Sequence, residues 1–130
     1  MSCGYLLDTC TFLWMLGRDE LLSVEARRIV TEAGSKLLLS AASSWEIALK
    51  VRLGELDLGE RPASYVPSRM EQQGIDGLAV EHVHALATHD LPEHHRDPFD
   101  RLLIAQARYE DLVLLTPDPA FSMYDVRVSW

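Results

Sequence analysis

Cysteine is almost absent from these 130 residues. Only Cys3 and Cys10 occur, which is no disulfide framework, so a reducing cytoplasm is the expected compartment. No apolar run approaches the ~18 residues of a membrane span, because Asp8 interrupts the best candidate, "GYLLDTCTFLWML". The N-terminus lacks the basic lead and small-residue cleavage site of a secretory signal. Basic residues are scarce too, 12 against 20 acidic, for a net charge of −8. That balance argues against gripping nucleic acid by bulk electrostatics, and it leaves room for an acidic pocket filled by a divalent cation. A nucleic-acid substrate would then need a local basic rim or a second subunit. There is no Gly-rich loop ending in Lys-Ser/Thr, which excludes a P-loop enzyme. Repeats and linkers are missing as well; "GELDLGERP" is too short to separate a pair of domains. With 48% hydrophobic residues, one globular domain over 1–130 is the simplest expectation.

What is present is an alternation. Short apolar runs bounded by turn signals predict buried strands at 5–8, 36–41, 111–116 and 126–130, with a weaker one at "LAVE", 78–81. Helical patterns lie between them, at 12–16, 23–33, 44–53, 64–73, 82–89 and 98–109. Strands separated by helices of this length predict βαβ units, hence an α/β fold with a mostly parallel central sheet. In such sheets ligands bind beyond the carboxyl ends of the strands. Asp8 closes the first strand there, and Asp118 follows the strand ending near Thr116.

Each acidic residue near that edge has a plain structural explanation. Asp8, in "LLDTCT", suits an Asx turn or a helix cap. Glu46, in "SAASSWEIALK", stands three residues after Ser43, the spacing of a capping box. Asp97 followed by Pro98 is a strong helix start, and Asp100 then falls at the third helical position, where negative charge suits the dipole. Asp118, in "LLTPDPAF", fits a tight turn between prolines. Together the acids say more. Several carboxylates sent to one rim repel unless protons or a cation intervene, and oxygen-only ligation suits Mg²⁺ or Mn²⁺.

The ordered motifs "LLDTCTFLW", "SWEIALK", "HRDPFDRLLIAQA" and "LLTPDPAF" resemble those of the PIN-domain nucleases, and most of all the VapC-like toxins of toxin–antitoxin pairs. The resemblance covers nearly the whole chain. It implies a three-layer fold with helices flanking a central parallel sheet, and Mg²⁺- or Mn²⁺-dependent hydrolysis of RNA phosphodiester bonds. It also implies a homodimer neutralised by a cognate antitoxin. By position, the family's acidic residues fall on Asp8, Glu46, Asp100 and Asp118. Asp8 and Asp100 would hold the principal metal, with Glu46 and Asp118 acting through water or a second ion. Asp97 is expected mainly as the helix cap, with a metal contact left open. Thr9 or Thr11 could orient a ligand or cap the next helix, and Lys50, Arg52, Arg96 and Arg101 could meet RNA phosphates.

Other features carry less. The histidines of "HDLPEHHRD" match no zinc spacing and suit a solvated loop or an RNA contact near the site. Cys10 has no suggested Cys–His partner and reads as a small buried side chain. Trp14, Trp45 and Trp130 fit core or dimer packing as well as base stacking. A haloacid-dehalogenase phosphatase would need an aspartate where Cys10 stands. The remaining alternative is a PIN-like RNA-binding or protein-interaction module without turnover.

Overall fold

The computed structural model describes residues 4–130; Cys3 lies outside the described residues. Five strands form one sheet: β1 (Gly4–Leu7), β2 (Lys36–Ser40), β3 (Ile75–Leu78), β4 (Val113–Leu115) and β5 (Val128–Ser129). Their order is β3-β2-β1-β4-β5 and every pairing is parallel. Leu6 sits beside Leu38 and Leu114, while Leu7 sits beside Leu39 and Leu115. Because side chains alternate along a strand, these two rows face opposite sides of the sheet. Both sides must therefore be covered, which is why the strands read as unbroken apolar runs.

Helices supply the two covers. Leu7, Leu37, Leu39 and Leu115 pack with Phe12, Ala26, Ile29, Ile47 and Val66. Those partners come from α1 (Thr9–Gly17), α2 (Val24–Thr31), α3 (Ala41–Arg52) and α4 (Pro62–Gln73). The opposite row, Leu6, Leu38 and Leu114, packs with Leu103, Ile104 and Ala107 of α6 (Pro98–Tyr109) and with Ala87 of α5 (His82–Ala87). The result is a three-layer α/β/α fold. No helix among the described residues is long and apolar enough to cross a membrane.

Two predicted elements are displaced. The weak strand lies at Ile75–Leu78 and not at 78–81, so only Leu78 is shared. Gly74, at φ 67°, ends α4 in the left-handed region, and the chain enters the edge strand at once. The helix predicted from 44 begins at Ala41, because Ser40 caps it by accepting the Ala42 N–H at 3.0 Å. Ser43 and Glu46 therefore form no capping box.

The chain runs outward from β1 to β2 and β3, then returns to place β4 on the other side of β1. The crevice between the carboxyl ends of β1 and β4 is thus the topological switch point, the standard ligand position in open α/β sheets.

Candidate active site

Asp8 follows β1 at that crevice and caps α1. Its Oδ1 accepts the Thr11 N–H at 2.8 Å, and its Oδ2 accepts the Thr116 hydroxyl from beyond β4. Buried at 5% exposure, it is held from both sides of the switch point. Thr11 closes the same seam by donating its hydroxyl to the Leu115 carbonyl at 3.0 Å. Of the two threonines, Thr11 thus has its hydroxyl proton engaged by the backbone.

Thr9 lies 2.6 Å from Glu46 Oε1 and 3.0 Å from the Ser43 hydroxyl. One hydroxyl proton cannot serve both, and the shorter contact with the carboxylate takes it. Glu46 Oε2 is paired with Lys50 Nζ at 2.8 Å. Hydrogen bonding to Glu46 is the chief reason the Lys50 ammonium holds its proton more tightly than usual. Both oxygens of this buried glutamate are therefore already engaged by the protein. Lys50, expected as a phosphate contact, is committed to Glu46.

Asp97 caps α6, accepting the N–H groups of Phe99 at 2.8 Å and Asp100 at 3.3 Å, with Pro98 in the first helical position. Asp100 leans inward from the first turn. Burial pushes its pKa from 3.8 up to about 7, and the Asp97, Glu46 and Asp8 charges add to that against the opposing His95. Asp118 caps the 3₁₀ turn Pro119–Met123, accepting the Ala120 N–H at 2.9 Å.

These residues meet. Asp8, Glu46, Asp97, Asp100 and Asp118 all line one cavity of about 230 Å³, with Lys50 as the cation on its wall. A wider hollow of about 690 Å³ lies beside 79–85, but Glu81 is its one carboxylate. Chemistry and not size singles out the acidic cavity. Cys10 also lines it, half-buried, its thiol 3.3 Å from Asp8 Oδ1. Burial and the Asp8 charge push that thiol far up, so it stays protonated and is no nucleophile.

Three expectations about the rim need correction or addition. Arg101 does not face outward: its guanidinium donates to the carbonyls of Thr88, Leu91 and Pro92 at 2.8–3.2 Å, bracing the segment before α6. Arg52 and Arg96 are exposed and make no ion pair among the described residues. His95, read as part of a solvated loop or as an RNA contact near the site, places Nε2 2.9 Å from Asp100 Oδ2 and 3.4 Å from Asp118 Oδ2. The signal for it was slight: a histidine two residues before the aspartate that caps the acidic helix.

The family model described as PIN domain matches residues 5–126. The chain belongs to the PIN-domain family. A segment of 60 residues of this PIN domain is 52% identical to Ribonuclease VapC16 of Mycobacterium tuberculosis, covering 46% of this chain and 43% of that protein. The chain thus aligns with less than half the length of that curated relative. Among solved structures, VapBC2 from Rickettsia felis, bound to a promoter DNA fragment, superposes with a TM-score of 0.71 at 12% identity, covering 96% of both chains. DNA-bound VapBC from Salmonella typhimurium gives 0.70 at 16% identity, covering 98% of this chain and 97% of that one. FitAcB from Neisseria gonorrhoeae gives 0.60 at 21%, covering 95% of each. At these identities the superpositions speak for the PIN fold alone.

Proposed function

We propose that this PIN domain is a divalent-cation-dependent endoribonuclease acting as a VapC-type toxin. The observation that carries the reading is the convergence of five carboxylates, from four separate stretches of chain, on one small cavity at the switch point. The donor set fits a hard cation. It is oxygen-rich and carries more negative charge than Lys50 offsets, and Asp100, raised first by burial, is raised further by its carboxylate neighbours. The relative named as a ribonuclease supports RNA as the substrate.

In this reading Asp8 and Asp100 hold the principal Mg²⁺ or Mn²⁺. Asp118 and Glu46 complete the pocket through water or a second ion. Glu46 suits the outer position, since Thr9 and Lys50 already occupy its oxygens. Asp97 contributes by fixing the start of α6, and hence Asp100. When bound, such a cation supplies activation of water and stabilisation of charge on the phosphoryl group. No side chain needs to attack the phosphate, consistent with Cys10 remaining a thiol.

Partners belong to the same proposal. The VapBC names of the structural neighbours support a cognate antitoxin as the neutralising partner. Trp45 and Leu49 on α3 and Leu53 at its C-cap make an exposed apolar stripe, at 64%, 40% and 61% exposure, which supports a homodimer. The test is cleavage of a mixed RNA pool by antitoxin-free protein with Mg²⁺, Mn²⁺ or chelator. Metal-dependent cuts are expected from the wild type, falling at least ~10²-fold in Asp8→Asn and Asp100→Asn. Cleavage that persists in chelator, or in both variants, would sink the reading. Retention of RNA without cutting by folded, metal-loaded protein would favour a binding module.

A further inference from the structure

His95 lies beside the acidic cavity, and the nuclease reading gives it no role. Its Nε2 and oxygens of Asp100 and Asp118 all lie within 4.8 Å of one another, a spacing at which three ligands could share an ion. The other edge of the ring argues against ligation. Nδ1 accepts the backbone N–H of Asp97 at 3.2 Å. A ring nitrogen that accepts a hydrogen bond carries no proton, so in the neutral imidazole the proton sits on Nε2, the nitrogen 2.9 Å from Asp100 and 3.4 Å from Asp118. A metal-bound histidine has the reverse polarity, with a bare nitrogen toward the ion and its other N–H given to an acceptor.

Position agrees with polarity. His95 is not among the residues lining the cavity; its ring packs edge-on against Phe121, with centroids 5.9 Å apart. The backbone fixes the ring from behind: the His95 N–H donates to the Tyr124 hydroxyl at 2.7 Å, and Arg101 clamps the preceding carbonyls.

We propose that His95 is a positioning residue, whose Nε2–H spans Asp100 and Asp118 and holds the two carboxylates convergent on the cavity without itself ligating the cation. The inference rests on the nuclease reading. It adds that the convergence is imposed by a donor on the outer side of both acids. Without that donor Asp118 keeps the Ala120 N–H on its Oδ1, but its half-exposed Oδ2 is left beside a carboxylate that repels it.

The experiment is calorimetric titration of Mn²⁺ into metal-stripped wild type, His95→Ala and His95→Gln, with pulsed EPR on the Mn²⁺-loaded wild type. Loss of an outer partner typically weakens metal affinity ~10–100-fold, so that loss is expected in His95→Ala, with recovery to within about 3-fold in His95→Gln, whose amide N–H replaces Nε2–H. The wild-type spectrum should lack the ¹⁴N coupling of a directly bound imidazole. Unchanged affinity in His95→Ala, or a ¹⁴N coupling that vanishes in His95→Gln, overturns the inference and leaves the nuclease reading standing. No Mn²⁺ uptake by wild type removes both. Should His95→Ala fail to fold, His95→Gln and the spectrum still decide.

Discussion

Asp100 is the residue at which burial and charge conflict most openly. Its side chain is 20% exposed, and its pKa of about 7 arises first from burial and then from neighbouring carboxylates. A carboxyl whose folded pKa exceeds its unfolded value stabilises the fold while protonated. That contribution is fully present below about pH 4 and is lost as pH rises through about 7. In metal-free protein, Asp100→Asn should therefore raise the melting temperature at pH 8 by ~2–6 °C, with little effect at pH 4. Melts in chelator at both pH values check this. A variant that melts lower than wild type at pH 8 would mean that the charge of Asp100 is compensated within the fold. The same substitution should abolish cleavage, separating what is good for the pocket from what is good for the fold.

At the scale of elements, the segment before α6 is held less by its own hydrogen bonds than by Arg101, on the first turn of the helix it precedes. The guanidinium gathers carbonyls from Thr88 to Pro92, and the Tyr124 hydroxyl receives the His95 N–H. Arg101→Met removes those donors at a cost of ~1–3 kcal/mol. It should speed hydrogen exchange at the His95 and Asp97 amides while α6 and the sheet keep their protection. Unchanged exchange there would show the segment to be held by other means. Elements also explain what could be read from the sequence. The α6 start was plain, because Asp97 and Pro98 carry a cap and a first-turn proline side by side. Asp8 and Asp118 were legible as acids after apolar runs. The register of α3 was not, since Ser40, Ser43 and Ser44 all offer capping hydroxyls and only packing chooses among them. The edge strand was missed because Asp76 and Gly77 lack the β-branched signature; pairing with β2 creates that strand. Nothing local marked Arg101 as a brace, and only the place of His95 two residues before Asp97 hinted at its contact with two acids, because both depend on a loop folding back over a helix.

For the whole molecule, the cavity is a junction. It joins the ends of β1 and β4 to α3 and α6, whose Trp45 and Phe99 rings also meet edge-on. A cation bound there links all four, so saturating Mn²⁺ should raise the temperature of global unfolding and not merely quiet a loop. At 100 times the dissociation constant the linkage is ~2.7 kcal/mol, a shift of several degrees. Asp100→Asn should show no such shift, and a wild type indifferent to Mn²⁺ by calorimetric melting would contradict the proposed centre. The parallel order that builds this junction also sets a schedule. Asp8 is made long before its partner Thr116, which lies 108 residues later, and β1 has only one neighbour in the sheet until β4 arrives. A chain stopped before β4 has lost Asp118 and one wall of the crevice. On the proposed function, a chain interrupted there lacks the nuclease centre, which is complete only once Asp118 has been added.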